Sequence, residues 1–446
     1  MSENQRIEFG HLPVEERIKS FRDFTIPLND DEVHAQSLRC LHCGTPFCSN
    51  NCPLHNRPVD WNRLVREGDW ERAWACLSAT NSFPEFTSRV CPAICEAGCT
   101  RYLLDDAAVG IRSIERAVID RAWREGWVRP EPAAVRTGRR VAVVGSGPAG
   151  LACAQQLARA GHDVTVYEKS EAGVHNAAKR SVKAADLLGE YDAVVLACGS
   201  EVPRDLKVPG REGRGVFFAL DVLQEQNRVD EGLVKKPAFD CRGCDVVIVG
   251  GGDTGSDCVG TARRQGAGRI WQLDLSPMPP EKDDKSCWPA WPRKLRTSTS
   301  HEEGCERLWE ASTKEILLND KGEVRGVRCV KLKWSLGPDG RFTPSEVPDS
   351  AFEIPCQRVL LAMGFMHPAA ATLKSFGVET DARGNAKAGV DGSEAPFATS
   401  VPGVFACGDT RSGQSLVVRA MSEGRRCARA VDVFLTGDSE LPSFRP

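Results

Sequence analysis

Apolar and polar positions divide this chain into two textures. Up to about residue 135 the pattern is helical, as in SIERAVIDRAWREGWV. From Arg139 onward, short apolar runs, glycine turns and intervening helices alternate, which predicts a parallel α/β region. The stretch VRPEPAAVRTG between the two reads as a linker. Two glycine-rich signatures follow, roughly a hundred residues apart, as a duplicated fold unit rather than a tandem array.

The first signature lies in RRVAVVGSGPAGLACAQQLARAGHDVTVYEK. An apolar strand runs into Gly145-x-Gly147-x-x-Gly150, an alanine-rich helix follows, and a second strand ends at Glu168. Glycines serve the tight turn, the close approach of a pyrophosphate and helix-to-strand packing. The helix N-terminus offers amides to the phosphates, and Glu168 is spaced to accept from a ribose hydroxyl. CDVVIVGGGDTGSDCVGTARRQGAGRIWQLDL repeats the pattern with Gly250, Gly252, Thr254 and Gly255, and Asp274 closes its second strand. An acid there favours the free 2′-hydroxyl of NADH. Arg263 and Arg264 on the intervening helix would instead meet a 2′-phosphate, so NADH and NADPH both remain open. The expected fold is α/β, with an N-terminal α-helical domain and two Rossmann-like dinucleotide-binding domains.

Charge and hydropathy narrow the setting. The 446 residues suit two or three domains, and a net charge of −3 gives no reason to expect nucleic acid or a membrane as partner. The opening residues lack a signal-peptide core and no run reaches membrane-spanning length, which predicts a cytoplasmic protein.

Cysteine changes the picture most. Nineteen are present, and seven fall in Cys40-x2-Cys43-x4-Cys48-x3-Cys52-Pro53 and Cys91-x3-Cys95-x3-Cys99. Thiolates at this density suit iron–sulfur clusters. Zinc, which usually takes two separated pairs, and buried free thiols are the alternatives. In the bacterial ferredoxin pattern the fourth cysteine serves the other cluster. Cys52 would then leave Cys40, Cys43 and Cys48 to be completed by a later cysteine. Cys241-x-x-Cys244 invites a redox reading but sits in a loop where no thiol is required.

CLHCGTPFCSNNCP, NSFPEFTSRVCPAICEAGC and IRSIERAVIDRAWREGWVRPE resemble the N-terminal domain of the glutamate synthase small-subunit family. The reductase module of dihydropyrimidine dehydrogenase is similar but less close. CWPAWPRKLRTSTSHEEG and FEIPCQRVLLAMGF are further matches to the small subunit. The resemblance implies two [4Fe-4S] clusters with crossed ligation. Cys40, Cys43, Cys48 and Cys99 would hold one, and Cys52, Cys91 and Cys95 the other, with Glu115 as fourth ligand. By residue type alone, Glu115 would be a solvated helix carboxylate.

TSVPGVFACGDTRSGQSLVVRAMSEGRRCARAVD resembles the flavin-closing motif of two-dinucleotide-domain oxidoreductases. Its matching residues are Gly408, Asp409, Gln414, Ser415 and Leu416, and the following helix would point its dipole at the reduced flavin. YDAVVLACGS, ending at Gly199 and Ser200, resembles the returning strand. FAD is therefore implied in the first unit and NADPH or NADH in the second. The domains would be 1–135 for the clusters, 136–200 with 370–446 for FAD, and 201–369 for NAD(P)H.

The implied function is electron input: NAD(P)H through FAD and both clusters to the large (alpha) glutamate synthase subunit, where glutamine and 2-oxoglutarate become glutamate. Cofactors carry that chemistry, so no catalytic residue is expected. A stand-alone NAD(P)H:acceptor reductase and a flavin-deficient iron–sulfur scaffold are the rivals. One departure is marked. After Glu168 the family continues through a paired-glycine loop, a helix and a strand, whereas EKSEAGVHNAAKRSVKAADLLGEYDAVV crosses almost directly. About thirty residues are missing around Ala172-Gly173-Val174, a loss expected to weaken flavin contacts and packing. A lost exon, natural degeneration and weak flavin binding compete to explain it.

Overall fold

The computed structural model describes residues 5–170, 182–282, 284–337 and 340–443. A short ribbon, β1 (Gly10–His11) with β2 (Thr25–Ile26), precedes a helical region. Its longest helix, Ile111–Arg124, buries Ile111, Ile114, Val118, Ile119 and Ala122. That spacing of three and four residues makes one apolar stripe, which packs on Trp61, Leu64 and Leu77 of the neighbouring helices.

β3 (Arg140–Val144), β4 (Asp163–Tyr167) and β5 (Ala193–Leu196) follow. β6 (Val216–Phe218), β7 (Val246–Val249), β8 (Ile270–Leu273) and β9 (Glu306–Leu308) come next. An antiparallel set comprises β10 (Ala311–Leu318), β11 (Val324–Leu336), β12 (Phe342–Glu346) and β13 (Phe352–Pro355). The chain closes through β14 (Arg358–Leu361) and β15 (Val404–Ala406).

Two parallel sheets result, ordered β15-β5-β3-β4 and β6-β14-β7-β8-β9. β14 therefore returns to the second sheet, while β15 crosses back to the first. The helices Pro148–Arg159 and Val417–Thr436 pack together over the first sheet, burying Cys153, Leu157, Cys427 and Val431. The helical region rests on this pair: Ser422 Oγ donates to Pro53 O (2.7 Å), and Arg425 reaches Ser82 Oγ and Ala79 O, both at 2.9 Å.

Among the described residues no helix is long and apolar enough to cross a membrane. Most of the shortened stretch after Glu168, including Ala172-Gly173-Val174, lies outside the described residues.

Candidate functional site

Four of the clustered cysteines line one cavity. Cys40, Cys43, Cys48 and Cys99 meet there with Asn62 and Gly98. Burial pushes the Cys48 thiol up to about 12, and the neighbouring Cys99, Cys40 and Cys43 add to the shift. Beside this cavity His42 Nε2, Trp61 Nε1 and Asn62 Oδ1 are buried without a protein partner.

The other three cysteines gather separately. Cys52 and Cys91 belong to one apolar cluster with Leu54, Ala152, Val418 and Met421. The Cys95 thiol is raised by burial and by the charges of Glu96, Cys52, Cys91 and Glu115. Burial also takes Cys52 to about 12 and Cys91 to about 11.

Glu115 completes this second group. It falls on the apolar stripe of its helix, between Ile111 and Val118, and is only 6% exposed. It accepts from Thr87 Oγ1 and from Asn81 Nδ2 (3.1 Å). Burial pushes its carboxyl up to about 7, against the Thr87 hydrogen bond and the Arg112 charge. A solvated carboxylate is thereby excluded. The helical period carried a signal that residue type did not, because position 115 stands where an apolar side chain belongs.

This donor set fits iron–sulfur chemistry. Buried thiols raised this far ionise only beside concentrated positive charge, which a cluster's irons supply. Among the described residues no three His, Cys, Asp or Glu groups are placed to share a single ion.

In the first dinucleotide unit, β3 turns at Gly145, whose φ is +109° and whose added Cβ would strike the Ala197 carbonyl. Gly147, capping the helix Pro148–Arg159, has nothing within 4 Å of its Cβ position, so a phosphate has room at the helix N-terminus. Gly150 packs against the Gly145 carbonyl. Glu168 accepts from Ser146 N (3.0 Å), Ser146 Oγ (2.8 Å) and Ser170 N (2.8 Å). Burial would raise its pKa, but these hydrogen bonds outweigh burial and hold it below the usual range.

The C-terminal motif is assembled by a residue the sequence reading passed over. Glu423 accepts from Gly408 N (2.9 Å) and pairs with Arg411, fixing the turn that presents Asp409. Asp409 accepts from Ser415 Oγ (3.0 Å), and burial raises its pKa. Thr410 Oγ1 donates to Gly199 O (3.5 Å), and Leu416 caps the helix Val417–Thr436. Gln414 Oε1 accepts from Phe365 N (2.9 Å), joining the flavin motif to the second unit.

The second unit repeats the turn at Gly250, with φ +129° and the Ala362 carbonyl in the Cβ position. Gly252 again faces open space, and Gly255 packs against the Gly250 carbonyl. A cavity of about 930 Å³ brings Gly250, Gly252, Thr254 and Asp274 together with Asp409, Gln414 and Ser415. The two motif regions thus share one space.

A relay supports this glycine turn. Gln272 Nε2 donates to Gly250 O (2.9 Å), and His301 Nε2 donates to Gln272 Oε1 (2.7 Å). His301 Nδ1 accepts from Ser298 N (3.2 Å), which fixes the tautomer, and burial lowers its pKa to about 4. Neither His301 nor Gln272 stands in a chemical motif of the sequence, although TSTSHEEG belongs to a segment that resembles the small subunit. Arg263 and Arg264 are not among the residues lining the cavity. Cys241 is buried, and all nineteen cysteines are free of disulfides.

Comparison with known proteins gives three family matches. The family described as dihydropyrimidine dehydrogenase domain II, 4Fe-4S cluster, matches residues 17–127. The pyridine nucleotide-disulphide oxidoreductase family matches 177–424, and an NAD(P)-binding Rossmann-like domain matches 143–181. The Mycobacterium tuberculosis glutamate synthase [NADPH] small chain is 42% identical over 97% of this chain and 94% of its own length. That alignment runs to 471 positions, more than the chain's 446 residues, so it crosses gaps in this chain. Glutamate synthase [NADH] of Schizosaccharomyces pombe is 39% identical over 99% of this chain, which spans 23% of that protein. Among solved structures, a variant of FprA from Mycobacterium tuberculosis shares the fold, with a TM-score of 0.50 and 16% identity, over 69% of this chain and 87% of that one.

Proposed function

The chain belongs to the glutamate synthase small-chain family, and from that premise we propose a path for its electrons and a partner to receive them. It is an NAD(P)H-dependent oxidoreductase and an electron-input subunit with iron–sulfur, FAD and NAD(P) domains. When bound, these groups would supply hydride donation by NAD(P)H, hydride acceptance by FAD and single-electron transfer by iron–sulfur clusters.

The protein's own residues set the route. Gly252 and Asp274 hold the nicotinamide nucleotide, while Gly147, Glu168, Asp409 and the helix after Leu416 hold the flavin. Cys52, Cys91, Cys95 and Glu115, the group packed nearer the flavin motif, would hold one cluster, and Cys40, Cys43, Cys48 and Cys99 would hold the other. One observation carries this order: Cys52 and Cys91 pack directly on Ala152, Val418 and Met421, from the two helices that flank the flavin motif.

The acceptor is a separate large chain that forms glutamate from glutamine and 2-oxoglutarate in the cytosol. Support comes from relatives named as small chains, and from the Schizosaccharomyces pombe protein, in which the matching region is part of a far longer chain.

Ligation is tested by Cys52→Ser and Glu115→Ala in the full chain. Either change is expected to remove about half of the bound iron while flavin absorbance stays. Unchanged iron in both variants would remove these residues from the ligand set.

A further inference from the structure

The relatives above are named for different reductants, NADH and NADPH, and the surroundings of Asp274 separate the two. The backbone at this residue is held on both sides. Its N donates to Leu308 O (2.8 Å), and Ala311 N donates to its carbonyl (3.1 Å). Asp274 Oδ1 accepts from Ser276 N (2.8 Å), while Oδ2 lies where a Cβ on Gly251 would collide with it. The carboxylate is therefore fixed on the cavity wall, beside the glycine turn.

A dinucleotide with its pyrophosphate over Gly252 places the adenosine ribose at the end of the second strand. A carboxylate there accepts from a free 2′-hydroxyl. It repels a 2′-phosphate, which carries nearly two negative charges of its own.

A phosphate would need a cation to meet it, and Arg263, Arg264, Arg293 and Arg307 each already donate to a protein partner. Arg263 donates to Glu303 O (2.9 Å) and Gly268 O (3.2 Å). Arg264 pairs with the buried Glu303 carboxylate (2.6 Å), which also binds Arg17 (3.1 Å), and donates to Ser20 O (3.0 Å). These contacts dock the N-terminal region onto the second unit. Arg307, near enough to Asp274 for their charges to interact, donates to Arg296 O (3.0 Å) and stacks on Trp309. Arg293 donates to Pro277 O (3.2 Å) and is not part of the cavity wall.

Among the described residues lining that wall, the one guanidinium is Arg204. Four carboxylates line the same cavity: Asp205, Asp253, Asp274 and Asp409. Its backbone bonds to Gly364 O (2.9 Å), on the side of the cavity next to Gln414.

We propose that this chain is selective for NADH, with Asp274 reading the free 2′-hydroxyl of the adenosine ribose. The inference rests on the second unit being the nicotinamide-nucleotide site.

Oxidised nucleotides test it without turnover. The full chain is titrated calorimetrically with NAD⁺ and with NADP⁺, then repeated for Asp274→Asn, Asp274→Ala and Arg293→Ala. NAD⁺ is expected to bind tighter by about tenfold or more. Asp274→Ala should lose most of that preference by weakening NAD⁺, Asp274→Asn should lose part of it, and Arg293→Ala should leave it unchanged. A parent chain that binds NADP⁺ equally well or better would overturn the selectivity and leave the oxidoreductase reading standing. A preference that survives both Asp274 variants, or NADP⁺ binding that depends on Arg293, would overturn the role of Asp274. Binding of neither nucleotide would overturn both readings. Thermal melting of each variant identifies any that fails to fold, and Asp274→Asn, nearly isosteric, then decides.

Discussion

The two dinucleotide units share a glycine turn and differ in what shields the strand beyond it. In the second unit β8 is buried along its length and paired on both sides, by β7 and β9. In the first, β4 is the sheet edge among the described residues, exposed at Asp163, Thr165 and Val166 (37%) and half-buried at Val164 and Tyr167. The residue that follows each strand is an acid, Glu168 after β4 and Asp274 after β8. The local motif is therefore independent of the support behind it: hydrogen bonds close to Gly145 and Gly250 hold each turn, while neighbouring strands supply the burial that stabilises the sheet.

Substitution at the paired turns gives the largest contrast. Gly145→Val and Gly250→Val each force a side chain into a backbone carbonyl at a positive φ. Gly145→Val should lose flavin, with occupancy falling about tenfold or more, and Gly250→Val should keep flavin and lose nicotinamide-nucleotide binding by a similar factor. Absorbance of the purified protein and nucleotide titration read the two. If either variant loses both ligands, the units do not act separately.

The strands behind the turns should differ next. Leu273→Ala in β8, where the side chain is 2% exposed, is expected to cost about 2–5 kcal/mol. Val166→Ala in β4 should cost about 1 kcal/mol or less. Urea denaturation measures both, and equal losses would mean that β4 is as well covered as β8.

The smallest effect concerns Glu168, whose pKa is held below its ordinary value in the folded chain. Its contribution is present above the ordinary carboxylate range and fades as pH falls through the depressed value. Glu168→Gln should cost about 1 kcal/mol at neutral pH, with variant and parent converging in acid. A gap that stays constant from pH 7 to pH 3 would show that the charge is not what stabilises.

Local chemistry was the part legible in the residues alone. A turn at Gly145 or Gly250 requires positive φ and room for a backbone carbonyl, needs that only glycine meets cheaply, and cysteines four apart gather through short turns. Those demands act over a few residues, so spacing records them. The helical stripe of Ile111 to Ala122 was equally local, and it already contained Glu115 on its buried face.

What joins distant segments was settled only by folding. Cys99 meets Cys40, Cys43 and Cys48 across the helical region, and Cys52 reaches Met421. His301 supports Gly250 through Gln272, and Glu303 draws Arg264 away from the cavity toward Arg17. Each contact depends on which faces of separate elements are buried against one another, and that choice minimises exposed apolar surface and unpaired charge over the whole molecule. No stretch of sequence carries it by itself, so Arg264 could be read beside a phosphate until its partner, thirty-nine residues on, was in place.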